Sequence, residues 1–256
     1  VAIQANATTE AFGYLGYIHP LQNQRYKDQA HYIDIHIKGM DRNGLAFENP
    51  QYNAYLSKDK NQKCALSIAL RHDLENFPGT WSLVSHELFH LYQYGYAQYK
   101  APWYLEGMAN WGERIIRRTV DRKHLTPLPS NQAEFKANVL QKPYNDLWHR
   151  LAYLAEKNGG KMPLPKKLLQ RRYTDGSIVF RDDQLNGYIF MRHFFENLQA
   201  RSDATSRSLK LNPADWPEKI QTSQDHSSVI LAIIQQTMIE MGMNQTAEEK
   251  AFLKLK

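Results

Sequence analysis

The pentapeptide His-Glu-Leu-Phe-His at residues 86–90 constrains the fold more strongly than any other part of the sequence. Thr80 follows a Pro-Gly break and is a suitable N-cap, and apolar residues recur at helical spacing as far as Gly95, so we predict a helix between these two residues. Residues four positions apart share one face of a helix, so His86 and His90 can direct both imidazoles at one point. Their neighbours are mostly apolar or aromatic, which predicts that both histidines are buried and need partners.

A metal ion is an efficient partner for two buried histidines. Zinc is bound in proteins by imidazole nitrogens and carboxylate oxygens, and a catalytic zinc keeps one coordination position open. Glu87 follows the first histidine, where its carboxylate can accept a proton from a water at the metal and so activate that water for attack on a carbonyl. The alternative interpretation is that His86 and His90 are ordinary core or surface histidines whose hydrogen bonds are satisfied by the protein.

A catalytic zinc needs a third protein ligand, and the next predicted helix, 103–118, offers two carboxylates. Glu106 lies in its first turns and can turn back toward the first helix, so we predict Glu106 as the ligand and Glu113 as its rival. Asn110 lies one turn after Glu106 and could hold a ligand histidine by its free ring N–H. Glu106 could otherwise be an acid near a helix N-terminus, favoured there by the helix dipole.

Alternation of apolar and polar residues predicts strands at 31–38 and 64–71, and the polar stretch between them could hold one further short strand. The first third of the chain is therefore expected to consist of strands and loops. Further helices are predicted at 143–157, 182–200, 226–241 and after Thr246, which has the spacing of a capping box with Glu249, whereas 201–224 is predicted to be loop. We expect an α+β fold in one catalytic domain, 1–256, with a β-rich lobe to about residue 78 and a mostly helical lobe from 79.

The composition is that of a folded protein, since 42% of the 256 residues are hydrophobic and 23% are charged. The longest aliphatic run, 229–234, is too short to span a bilayer, so no transmembrane helix is predicted. Cys64 is the single cysteine and is interpreted as core filler. Ala-Asn-Ala at 5–7 is compatible with the small-residue end of a secretory signal, so a secreted or periplasmic protein is expected.

The net charge of +6 is concentrated in two basic segments, 113–124 and 165–173. We interpret both as solvated helix faces. The alternative is attraction to an anionic polymer, such as a cell-envelope polysaccharide, lipid headgroups or nucleic acid. Nucleic acid is disfavoured, because no zinc-finger spacing, phosphate-binding glycine loop or aromatic nucleic-acid motif accompanies the charge.

The pentapeptide followed by Pro-Trp-Tyr-Leu-Glu-Gly-Met-Ala-Asn-Trp at 102–111 resembles the gluzincin metallopeptidases of the MA clan. It is similar in particular to bacterial peptidases with an HExxH…Q…(P)W…EG.A.W pattern. The resemblance implies a zincin-like fold, Zn²⁺ as cofactor and a peptide or protein substrate. It also implies His86, His90 and Glu106 as the metal ligands and Glu87 as the general base. The family often has an acid four residues after the third ligand, where this chain has Asn110.

Residues 184–198 resemble the helix that closes the site in this family and that often supplies a tyrosine to stabilise the oxyanion. The first family position is Gln184 here, so Tyr188, one turn later, is our candidate. His193 and Tyr173 are its rivals, and Tyr188 could equally be a core aromatic at helical spacing. By the same resemblance, the strand at 64–71 is expected to be an edge strand that pairs with an extended substrate.

These observations together predict a zinc metallopeptidase that acts by Glu87-assisted attack of water on a peptide bond. One alternative is a zinc amidohydrolase that acts on cell-envelope material through the same chemistry. A second alternative, from another class, is a binding protein that keeps a degenerate zinc site.

Overall fold

The computed structural model describes residues 1–53, 64–74, 81–117, 125–156 and 160–256. Its three strands form one mixed sheet: β1 (Tyr32–Lys38) is parallel to β3 (Cys64–Arg71), and β2 (Gly44–Tyr52) is antiparallel to β3. The register of β2 shifts between Phe47 and Gln51, a stretch that contains Pro50, whose missing N–H cannot join a ladder. The predicted mixture of a small sheet with helices is therefore confirmed.

The sheet order β1-β3-β2 corrects one prediction. Residues 64–71 form the central strand, with both edges paired, so this strand cannot accept a substrate as a further strand. Its smaller side chains are as buried as its larger ones, including Ala65, Ser67 and Ala69, which is typical of a strand covered on both faces. The edge strands of this sheet are β1 and β2.

Most of the rest of the described chain is helical. The α-helices are α1 (Ala2–Tyr14), α2 (Leu83–Tyr96), α3 (Pro102–Gly112), α4 (Gln132–Phe135), α5 (Leu147–Ala155), α6 (Lys166–Leu169), α7 (Tyr188–Leu209), α8 (Glu218–Gln221), α9 (His226–Glu240) and α10 (Ala247–Phe252). Short 3₁₀ helices span Pro20–Gln22 and Glu113–Ile115, and a π-helix spans Lys136–Leu140. Within the ranges described above, no helix has both the length and the apolar character needed to cross a membrane.

Several helical regions differ from the prediction: α3 ends at Gly112 instead of residue 118, and α4, the π-helix and α6 were not predicted. The N-terminal segment, expected to lack helices, forms α1, which contains the Ala-Asn-Ala stretch and buries Ala7 and Ala11. Short side chains give this helix no conspicuous apolar stripe in the sequence. Thr8 makes a hydroxyl–hydroxyl hydrogen bond of 2.6 Å to Ser85 of α2. The small side chains of α1 therefore allow it to pack closely against α2.

The region 201–224 is not all loop, because α7 continues to Leu209. Its last turns bury hydroxyls rather than aliphatic groups: Ser206 is buried and accepts a 2.8 Å hydrogen bond from the Trp216 indole N–H. The same helix begins at Tyr188 instead of residue 182, since the preceding Gly187 has φ 72°, a left-handed conformation that L side chains rarely adopt.

Helix α2 lies between two hydrophobic clusters and is buried along almost its whole length. Val84, Leu88 and Leu91 pack in a cluster with the β3 side chains beneath the sheet. Phe89 and Tyr92 join the larger helical cluster, where each ring lies within 5.3 Å of the Phe12 ring of α1. Packing on both sides fixes the rotation of α2, and the histidines occupy its remaining face.

Thr80, the predicted N-cap, and the predicted lobe boundary near residue 78 lie outside the described residues.

Candidate metal centre

His86 and His90 of α2 converge with Glu106 of α3. The Oε2 atom of Glu106 lies 3.3 Å from Nε2 of His86 and 3.8 Å from Nε2 of His90. The two imidazole rings are 4.9 Å apart and nearly perpendicular, at 81°. One ligand atom from each of the three residues lies within 4.8 Å of the others. Two imidazole nitrogens and one carboxylate oxygen are a donor set that suits a catalytic zinc, so these residues fit the expected ion.

Gln93 connects the two ligand-bearing helices. Its Oε1 accepts a 2.7 Å hydrogen bond from Nδ1 of His90, and its Nε2 donates to the carbonyl oxygens of Tyr104, at 3.4 Å, and Leu105, at 3.1 Å. A proton on Nδ1 leaves the Nε2 lone pair of His90 free to bind a metal. We assigned such an orienting role to Asn110 from the sequence. Asn110 lines the cleft, but the orienting bond to His90 comes from Gln93.

The protonation states of the cluster follow from burial and from the shared carboxylate. Burial, assisted by the neighbouring His86, lowers the pKa of His90 to about 4, so this ring is neutral and able to bind a metal at pH 7. Burial also opposes protonation of His86, but the hydrogen bond to Glu106 and nearby carboxylates outweigh it and raise its pKa. Burial acts to raise the pKa of Glu106, yet its bond with His86 lowers the pKa overall.

Glu87 lies in the same cleft, which has a volume of about 680 Å³, and the residue is only 5% exposed. Burial raises the pKa of its carboxyl to about 7, with a further contribution from Glu106 and opposition from His86. A carboxyl that titrates near neutrality can both accept and return a proton. The backbone of β2 approaches it closely at Gly44, where an added Cβ would overlap Oε1 and lie 2.7 Å from Cδ of Glu87.

Comparisons with protein-family models, with curated proteins and with solved structures give no match to this chain.

Glu113, the rival for the third ligand, does not join the metal cluster. It follows α3 in a 3₁₀ helix and is buried, and it is not a solvated acid. Its Oε2 accepts a 2.9 Å hydrogen bond from the Ser82 hydroxyl, and its Oε1 lies 2.7 Å from the Arg117 guanidinium. The carboxylate lines the cleft but is occupied by these partners.

The three candidates for the oxyanion donor lie outside the residues that line the cleft. Tyr188 begins α7, packs against the helical core and accepts a hydrogen bond from the Tyr17 hydroxyl at its carbonyl oxygen. Tyr173 accepts a 2.7 Å bond from the Gln4 amide, and His193 lies near Glu196 on the exposed side of α7. The structure does not bring Tyr188 together with the metal cluster, and so does not support its predicted role.

Two other tyrosines line the cleft, Tyr94 and Tyr144. Tyr94 stacks on the His90 ring at 6.0 Å and is held in α2. Tyr144 precedes α5 and is 67% exposed, and its phenol lies near enough to Glu106 for each group to shift the pKa of the other. Neither was predicted. Tyr144 lies between helices, where periodicity carries no signal, and only the tertiary fold brings it to the cluster.

Proposed function

We propose that this chain is a zinc-dependent hydrolase that cleaves peptide bonds. The observation that carries the proposal is the convergence of His86, His90 and Glu106 in one cleft with the buried carboxyl of Glu87. Three ligands leave a coordination position open, which is the arrangement of catalytic rather than structural zinc sites. When bound, zinc supplies a Lewis acid that lowers the pKa of a water and polarises a carbonyl oxygen.

The protein groups supply the proton transfers. Glu87 does not belong to the ligand cluster, and its carboxyl, with a pKa of about 7, accepts the proton of the attacking water. The same group then returns that proton to the nitrogen of the departing amine, so the base is regenerated in each turnover. Gly44 allows the β2 backbone to lie against the carboxyl, which limits the positions that Glu87 can adopt.

Tyr144 takes the role that we assigned to Tyr188 from the sequence. Tyr144 lines the cleft and interacts with Glu106, so its hydroxyl is on the side of the cleft where the carbonyl oxygen of a substrate would become negative. Partial desolvation of the hydroxyl on the cleft side and the neighbouring Glu106 raise the pKa of the Tyr144 phenol, which keeps the phenol protonated and able to donate. A hydrogen-bond donor at this point stabilises the charge that develops in the transition state.

The edge strand β2 takes the role that we assigned to residues 64–71. Its first residues, Gly44, Leu45 and Ala46, line the cleft beside the ligands. An extended peptide can add to a free strand edge through backbone hydrogen bonds. These bonds would hold the peptide across the metal cluster independently of most of the peptide's side chains.

The proposal is tested with fluorogenic peptides and denatured protein as substrates, alongside peptidoglycan fragments. Purified protein should contain about one zinc per chain, as expected for a three-ligand site, and should cleave peptides. A chelator should abolish this cleavage and zinc should restore it. Protein that takes up zinc but hydrolyses none of these substrates would contradict the proposed function and favour a binding protein. Cleavage of peptidoglycan fragments alone would favour the amidohydrolase.

A further inference from the structure

The charged side chains that line the cleft differ in whether they have an ion-pair partner in the protein. The anionic lining residues are Asp41, Glu87, Glu106 and Glu113, and the cationic ones are Arg42 and Arg117. In the proposed function, Glu106 binds the metal and Glu87 exchanges protons. The charges left to meet a substrate are therefore those of Asp41, Arg42 and the Glu113–Arg117 pair.

Arg117 is already committed to the protein. Its guanidinium lies 2.7 Å from Oε1 of Glu113 and 3.2 Å from the Ser82 hydroxyl, and it stacks 6.0 Å from the Trp81 ring. Arg117 and Glu113 therefore neutralise each other within the wall of the cleft. Asp41 forms no ion pair with any described residue; its charge acts on Arg71 at the end of β3, whose guanidinium is hydrogen-bonded to Asp73.

Arg42 is the remaining cation. It lies in the turn before β2, two residues ahead of Gly44, which contacts the proposed base. Its side chain is exposed, and it forms no ion pair with any residue in the part of the chain that the structure describes. Its charge acts on the phenol of Tyr144, which lies on the α5 side of the cleft. Arg42 thus presents to the cleft a guanidinium without an ion pair, within electrostatic range of the proposed oxyanion donor.

We propose that Arg42 binds a carboxylate of the substrate next to the scissile bond, so that the enzyme prefers peptides that are anionic at this position. The inference rests on the proposed function and names its substrate class. A guanidinium binds a carboxylate through two parallel hydrogen bonds, and a lysine side chain of the substrate would be repelled. The carboxylate can belong to an aspartate or glutamate side chain or to the C-terminus of the peptide. The net charge of +6 assists by attracting anionic peptides.

A panel of matched peptides tests the proposal. Each peptide carries Glu, Gln or Lys on either side of the cleaved bond and ends in a free or an amidated C-terminus. The zinc-loaded wild-type protein should cleave the Glu peptide with a kcat/KM roughly tenfold to hundredfold above that of the Gln peptide, the range for one charge-assisted hydrogen bond. If the C-terminus is the source of the carboxylate, amidation of the C-terminus should cause this loss of kcat/KM. Replacing the internal Glu with Gln should then have no such effect.

Three variants show whether Arg42 is responsible. In Arg42→Gln the ratio of anionic to neutral kcat/KM should fall toward one, and in Arg42→Glu the Lys peptide should become the better substrate. Arg207→Gln removes the same charge at an exposed position on α7 that does not line the cleft, and should keep the wild-type ratio. Peptide cleavage without an anionic preference, or a preference that survives in Arg42→Gln, would overturn the inference and leave the proposed function standing. If zinc-loaded protein cleaves no peptide, both are overturned.

Discussion

The Nδ1 atom of His90 lies 2.7 Å from the Oε1 atom of Gln93, one turn further along α2. The amide of the same glutamine donates from Nε2 to the carbonyl oxygen of Leu105, the residue before Glu106. Gln93 therefore connects one proposed ligand with the backbone that carries another. Because this Oε1 can only accept, Nδ1 of His90 carries the proton and Nε2 is held ready for the metal.

Replacing Gln93 with alanine should weaken zinc binding by roughly tenfold to hundredfold, the usual cost of removing a group that orients a metal-binding histidine. All three ligands would remain, so the effect should appear as a higher zinc Kd in competition with a chromogenic chelator. Gln24→Ala, at an exposed position, is the control. A zinc Kd equal to that of the wild type in Gln93→Ala would show that His90 needs no such partner.

The two candidate carboxylates should separate into a ligand and a structural group. Glu106→Gln removes an anionic ligand and should raise the zinc Kd by more than the roughly hundredfold that loss of an orienting partner can cost. Glu113→Gln should leave zinc binding unchanged and instead lower the melting temperature, because Arg117 loses its ion-pair partner. Zinc lost with Glu113→Gln and kept with Glu106→Gln would transfer the ligand role to Glu113.

Gly44 offers a way to move the base without changing it. In Gly44→Ala the new Cβ would overlap Oε1 of Glu87, so the carboxyl must shift while the three ligands stay in place. A misplacement of about 1 Å typically costs on the order of a hundredfold in rate, so kcat should fall by about that factor with zinc retained. Gly13→Ala places its Cβ in open space and should have normal activity. An unchanged kcat in Gly44→Ala would show that the position of Glu87 is not limited by β2.

The oxyanion donor can be identified by comparing two tyrosines. Tyr144→Phe should lower turnover by roughly 100- to 1000-fold, the loss expected for one preorganised donor, with the zinc content unchanged. Tyr188→Phe should have normal turnover, since Tyr188 does not line the cleft. The opposite pattern would restore Tyr188 as the donor and show that α7 moves toward the site when substrate binds.

The helical part of the site could be predicted because its signals are local. The spacing of His86 and His90 needs only a helix to bring two imidazoles to one face, and the structure has α2 at Leu83–Tyr96. The capping box of Thr246 and Glu249 is likewise present at the start of α10. Each feature depends on two residues that are three or four positions apart in the sequence. Such local pairs can be recognised without knowledge of the tertiary fold.

Features that depend on long-range packing could not be predicted in the same way. Alternation in 64–71 indicated a strand, but its place at the centre of the sheet depends on partners that lie far along the chain. The small side chains of Ser67 and Ala69, which alternate with the larger ones and are buried, are typical of a strand that is covered on both faces. Tyr144 approaches Glu106 from a segment without periodicity. The role of Gln93 could have been predicted, because the pattern of the peptidases that the sequence resembles contains a glutamine after the second histidine.

In the proposed mechanism, Glu87 transfers protons while its neighbours hold the metal. This division of roles is tested by measuring zinc content and peptide turnover together in Glu87→Gln, a change that keeps the size of the side chain but removes the proton acceptor. We predict about one zinc per chain, as in the wild type, and a turnover lower by several orders of magnitude. Turnover equal to that of the wild type, at the same zinc content, would show that Glu87 is not the proton acceptor.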